Sequence, residues 1–375
     1  MSLARSNRPS RHSLTGGSKH GVSAGEGNLA TPTKAPSRLR LLAQSSSLYI
    51  LVVEIVLLAF FSFLNPNFFS HSNLTNIAWD TSETLLLALG QTFVIITAGI
   101  DLSVGTVLML SGVVASWVMA QTGGSATEVV SGHFPNALVA ITLGIGSGLL
   151  VGIVAGAING CLVAWLRLPP FIVTLGTFSI ALGCGDLISS SGAAGQPTIP
   201  PVPEIFANTI GNGNLLFGLP TLVIVSAAAS FLAHIILKHT IFGRRTYAVG
   251  SSFESSRLAG VPVARQLILV YTFAGFMAGL TAIFDLARFH VTDIQGHSLD
   301  NLNTIAAVVI GGTSLFGGSG TISGTVVGAF IPVTLSYGFN VIGVSSFWQL
   351  VAIGVIIILA VLVDQLRRRH LASSI

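Results

Sequence analysis

The sequence predicts an all-α polytopic membrane protein of about ten transmembrane helices with both termini cytoplasmic, and three observations carry that prediction. Charged residues make up 8% of the chain while hydrophobic ones make up 51%, whereas charged types are about a quarter of an ordinary soluble domain. Apolar runs repeatedly reach the roughly 17 to 25 residues that a helix needs to cross a hydrocarbon core of about 30 Å, without the period-2 alternation of a barrel strand. The 17 Lys and Arg residues are clustered: seven precede residue 41, five lie between Lys238 and Arg265, three are Arg367, Arg368 and Arg369, and Arg167 and Arg288 remain. This is the positive-inside pattern. The net charge of +4 and pI near 9.4 therefore read as an orientation signal and a solvated tail, with no nucleic acid implied.

Residues 1–44 are rich in Ser, Gly, Pro and basic side chains and read as a disordered cytoplasmic tail, not a cleaved signal peptide. A transmembrane domain over 45–366 follows, then a short cytoplasmic tail over 367–375. Within the domain, hydropathy places helices at 47–64, 77–98, 103–120, 136–166 (long and bent) and 170–188. The next stretch, to residue 214, holds Pro197, Pro200, Pro201 and Pro203 and reads as an extended, polyproline-like external loop. Helices at 215–237 and 266–287 flank a basic cytoplasmic loop at 238–265.

The apolar run at 302–341 is interrupted at Gly311, Gly312, Gly317, Gly318 and Gly320, so it divides into a short inward helix, a glycine turn and an outward helix. A last helix at 347–363 brings the count to ten, with eight spans and a re-entrant segment as the alternative. Trp79, Trp117, Trp165 and Trp348 all fall near expected interfaces. Cys161 and Cys184 sit in apolar runs and suggest packing residues; no spacing in the chain suggests a metal or cofactor.

Gly144, Gly148, Gly152, Gly156 and Gly160 line one helix face with bare backbone, and Gly320, Gly324 and Gly328 form a second stripe. Both suit close helix packing, with a part in a moving path as the other reading. In GIDLSVG (99–105), Asp101 and Ser103 lie between two apolar helices, where a carboxylate either caps the next helix or faces a polar cavity. In the basic loop, Ser251 and Glu254 fit a capping box and Pro262 stops the element. The outcome is a helix of about two turns that presents Glu254 and Arg257 at i, i+3 spacing, with Leu258 beside them and Gly260 for a tight turn or close approach.

Taken together, GIDLSVG, LRLPPFIVTLGT (166–177), SSFESSRLAG (251–260), TIAAVVIGGTSLFGGSGTISGTVVGA (304–329) and GVSSFWQLVAIGVIIILAV resemble the membrane permease subunits of ribose, xylose and galactose type ABC sugar importers, in the family's order over roughly residues 45 to 365. The resemblance implies a bacterial inner-membrane permease with four kinds of neighbour: a cytoplasmic ABC ATPase subunit, a periplasmic sugar-binding protein, a second permease copy or related permease, and the lipid bilayer. It makes the helix over 252–260 the coupling helix seated on the ATPase. Ser252, Ser255 and Ser256 stand where the family usually has Asn and two alanines, which bears on the choice of ATPase. Asn301, Leu302 and Asn303 replace a Glu-Leu-Asp or Glu-Leu-Asn run, so the acidic contact at 301 is missing.

No GxxxxGK[ST] pattern occurs, so hydrolysis of ATP falls to a partner and the chain is not itself an enzyme. Thr97, Asp101, Asn159, Thr174 and Asn303 are the candidates to line a sugar path, since hydroxyls and amides offer neutral hydrogen bonds. The rival is a proton-coupled secondary transporter carried by Asp101, Asp186 or Asp285. An intramembrane enzyme has no HExxH or Ser/His/Asp cluster behind it.

Overall fold

The computed structural model describes residues 46–190, 201–216, 218–292, 296–345 and 347–372. The tail expected over 1–44 and part of the proline-rich loop lie outside the described residues. The longer helices, in order, are α1 (Ser46–Leu64), α2 (His71–Ile96), α3 (Val104–Gly123), α4 (Ala137–Ala164), α5 (Pro170–Ser190) and α6 (Thr221–His239). Two shorter ones, α7 (Ile241–Ser251) and α8 (Phe253–Leu258), precede α9 (Val263–Phe289). The last third contains α10 (Asp300–Ile310), α11 (Ile322–Gly328), α12 (Phe330–Val341) and α13 (Phe347–Ala372).

Among the described residues, seven stretches are long and apolar enough to cross a membrane: α3, α4, α5, α6, α9, α11 with α12, and α13. The other three expected crossings differ from that standard, each for its own reason. The apolar part of α1 is Leu48–Leu64; α2 is long but carries His71, Asp80 and Glu83; α10 has 11 residues. At 1.5 Å per residue α10 rises about 16 Å, about half the hydrocarbon thickness, too little to cross it alone.

Several boundaries depart from hydropathy for local reasons. Helix α2 starts at His71 instead of residue 77, because Ser70 Oγ accepts the Asn73 N–H (3.3 Å) and caps the helix within a polar stretch. Helix α13 runs on to Ala372, past 363, since Gln, Leu and Arg are good helix formers. The break between α11 and α12 at Ala329 reflects Pro332, which has no N–H to offer the Gly328 carbonyl. Of the loop expected to be extended, the described residues from 201 onward make a helical turn at Glu204–Phe206, after Pro203, and a π turn at Ala207–Gly211. A small antiparallel hairpin of Asn214–Leu216 and Leu219–Pro220 follows, with Leu216 opposite Leu219.

Helix α9 is the centre of the bundle, packed on α2, α3 and α4, with Val270, Tyr271, Ala274 and Ala278 buried. The closest approach is a glycine crossing. A Cβ on Gly152 or Gly156 would run into the backbone of Gly275 and Tyr271, and one on Gly160 would meet Ile268 Cα at 2.7 Å. Gly144 and Gly148 face α3 around Ala115 and Ser111. The second stripe is used likewise: Gly324 and Gly328 lie on the carbonyls of Gly311 and Ala307, and Gly320 packs on Thr313.

The periphery is apolar and exposed, with Phe63 at 89%, Ile180 at 66% and Ile358 at 68%, as a lipid-facing surface must be. The chain is a multi-pass membrane protein. Trp117, Trp165 and Trp348 are exposed, but Trp79 is buried and lies under the Arg288 guanidinium, 4.9 Å from its ring centre. Cys161 and Cys184 are half-buried free thiols.

Candidate functional site

The basic segment between α6 and α9 is mostly helical. Thr240 caps α7 by accepting the Gly243 N–H, and three contacts fix α7 to distant parts of the chain. Tyr247 Oη donates to the Gly320 carbonyl (2.7 Å), and burial raises this phenol above its ordinary pKa. Gln266 Nε2 donates to Phe242 O (3.0 Å) and Thr246 Oγ1 (2.9 Å). Gly250 sits with bare backbone on the Ile96 carbonyl, the same oxygen that accepts the Gly318 N–H (2.9 Å).

Helix α8 projects from this base. Its cap is Ser252, whose Oγ accepts the Ser255 N–H (3.2 Å); Ser251 instead closes α7 and donates to Tyr247 O (2.8 Å). The cap expected at Ser251 thus falls one residue later, at Ser252, without the reciprocal bond of a capping box. Glu254 does not reach back to a cap: it accepts from Arg257 (2.5 Å), with both side chains more than half exposed. That bond, and then the Arg257 charge, hold the Glu254 carboxyl below its usual range, so the pair stays ionised on mild acidification. Leu258 is 79% exposed. Gly260 has φ +80 with nothing near its missing Cβ, so it serves a left-handed helix stop and not a close approach within the chain. Arg167, Arg257 and Arg265, with Trp165 and Phe253, line a cavity of about 570 Å³ beside α8.

The five expected path residues do not form one group. Asp101, Asn159 and Thr174 converge in a buried network. Asp101 Oδ1 accepts from Ser103 N (2.8 Å) and Ser103 Oγ (2.6 Å), and Asn159 donates to Ser103 Oγ (3.0 Å). Asn159 Oδ1 accepts from Thr177, and Thr174 Oγ1 shares its proton between Pro170 O (3.0 Å) in its own helix and Ile100 O (3.2 Å). The carboxylate therefore folds the GIDLSVG turn onto itself and, through Ser103, ties it to α4 and α5. Thr97 bonds locally to Val94 O (2.7 Å).

Asn303 lies apart, in a cavity of about 450 Å³ at the opposite end of α9 from α7 and α8. Asp80 and Glu83 of α2, Asp285 of α9, His297, Asp300 of α10 and Tyr337 of α12 also line it. His297 Nδ1 faces Asp300 Oδ2 (2.8 Å) and its Nε2 faces Asp285 Oδ2 (3.2 Å). Asp80 is taken by Arg288 and by Tyr337 Oη (2.7 Å). Sequence reasoning named Asp285 and Asn303 singly and missed Glu83, His297 and Asp300; no motif spacing joins residues brought together from three segments. Asp186, the third acid of the proton-coupled reading, lies on α5 and is not among the residues lining this cavity.

The profile of the family described as branched-chain amino acid transport system / permease component matches residues 73–361. The chain belongs to that family. It is 38% identical over 314 residues to the ribose import permease protein of Escherichia coli (strain K12), covering 84% of this chain and 92% of that one. The fructose import permease protein of Rhizobium meliloti is 36% identical, covering 85% of each chain. The D-allose transport system permease protein of E. coli (strain K12) is 35% identical, covering 83% and 89%. No solved structure matches.

Proposed function

We propose that this chain is the permease subunit of an ATP-driven, binding-protein-dependent ABC importer that carries a monosaccharide or related polyol across a bacterial inner membrane by alternating access. The observation that carries the reading is nearly full-length similarity to permeases named for ribose, fructose and D-allose. The exposed α8 on its anchored base suits the mechanical part. In this reading both termini and α8 are cytoplasmic, and α8 docks on a separate ATPase whose closure pushes α7. Since α7 bears on the ends of α2 and α9 and on the turn before α11, a push there would tilt the spans that enclose the central region. A periplasmic binding protein delivers the solute at the other end, and a second permease copy or a related one completes the pathway.

The test is a reconstituted complex with its ATPase and binding protein. The loaded binding protein should stimulate ATP hydrolysis, and uptake should be blocked by vanadate; uptake that ignores vanadate and collapses with an uncoupler would favour the proton-coupled reading. Exchanging the signs on α8 by Glu254→Arg with Arg257→Glu keeps the intrahelical pair but inverts the face offered to a partner, so docking and transport should fall together. Labelling of Leu258→Cys from the periplasmic side would remove the coupling role outright.

A further inference from the structure

The cavity at the far end of α9 gathers several carboxyl groups around one imidazole. Four carboxylates line it, those of Asp80, Glu83, Asp285 and Asp300. Among the described residues, Arg288 pairs with Asp80, which leaves Glu83, Asp285 and Asp300 around His297. One ligand atom each from Glu83, Asp285 and His297 lie within 4.8 Å of one another. Asp285 is 3% exposed, lines the cavity, and its Oδ1 has no hydrogen-bond partner among the described residues. A buried, unpaired carboxylate oxygen is costly unless a cation or donor meets it.

We propose that Glu83, Asp285 and His297 form a binding site for a divalent transition ion, Mn²⁺ or Zn²⁺. Two donors on one ion at about 2.1 Å lie roughly 3.0 to 3.4 Å apart, and His297 Nε2 and Asp285 Oδ2 are 3.2 Å apart. His297 Nδ1 is held by Asp300 (2.8 Å), the outer carboxylate that orients an imidazole ligand and leaves its other nitrogen for the metal. Glu83 Oε1 is 3.9 Å from His297 Nδ1, so the Glu83 side chain has to turn toward Asp285 and Nε2 to join the ion, and the 4.8 Å spread of the three ligand atoms sets the size of that movement. Carboxylate with imidazole suits Mn²⁺ or Zn²⁺ better than a set of oxygens alone would. Three protein ligands leave coordination positions open to the cavity, so the ion is exchangeable.

The test uses the full chain in detergent, purified without a polyhistidine tag and stripped with chelator. Titration with Mn²⁺ followed by electron paramagnetic resonance should reveal one ion per chain, with nitrogen coupling from one imidazole in the echo-modulation spectrum; Zn²⁺ should compete for it. Affinity should fall at least tenfold in His297→Gln and in Glu83→Gln, and about tenfold or more in the orienting variant Asp300→Asn. Absence of stoichiometric binding at millimolar ion, absence of the nitrogen coupling in the unaltered chain, or binding unchanged in His297→Gln overturns the site. The unaltered-chain spectrum decides the matter even where a variant fails to fold. Neither readout involves transport, so the result is independent of the importer reading.

Discussion

Asp101 and Asp285 are both buried inside this bundle, and their surroundings are opposites. Around Asp101 every neighbour named above is neutral: Ser103 gives it both an N–H and an O–H, and Asn159, Thr177 and Thr174 extend the network across α4 and α5. Around Asp285, among the described residues, the titratable groups of the cavity are mostly other acids with one imidazole, and Asp285 Oδ1 has no hydrogen-bond partner. The comparison teaches that an intramembrane acid does not by itself announce a ligand. What matters is whether the chain has already supplied donors for it. Asp101 joins a turn to two helices through neutral donors, and Asp285 faces an imidazole amid other acids.

The largest effect expected concerns the scaffold on which both clusters rest. Gly152→Leu drives a side chain into the backbone of α9 and should abolish the monodisperse chain in detergent, while Gly146→Leu, with nothing within 4 Å of its Cβ, should leave it intact. Next, Asp101→Ala leaves the Ser103 N–H and O–H without their acceptor and should cost about 1.5 to 3 kcal/mol, read as a lower melting temperature. A melting temperature unchanged in that variant would break the contrast. On α8, Ser252→Ala removes the true cap and should cost about 1 kcal/mol of helix stability by amide exchange, with Ser251→Ala costing less. Smallest of all, Asp285→Asn in chelator should change the melting temperature little or raise it, because it neutralises an excess charge and keeps an acceptor for His297; a large loss would mean that Asp285 is structural too.

The sequence made the helices legible wherever apolarity and length coincided, as in α3, α5 and α9, and its glycine periodicity marked the face that meets α9. Polar helix starts were hidden: nothing in a hydropathy window reveals that Ser70 opens α2 before the apolar run begins. Adjacent serines made the cap on α8 ambiguous by one residue, because Ser251 and Ser252 both suit a cap and the backbone turn decides between them. The acidic cavity was illegible for a deeper reason. Glu83 and His297 are far apart in the chain, and a site assembled across helices leaves no spacing to read.

The Ile96 carbonyl is shared by Gly250 and Gly318, segments made at different times during synthesis. A nascent chain paused before residue 318 has the Ile96 and Gln266 contacts of α7 but lacks the Gly320 carbonyl that accepts from Tyr247. The seat of α7 is thus completed late in synthesis, once the turn before α11 is in place.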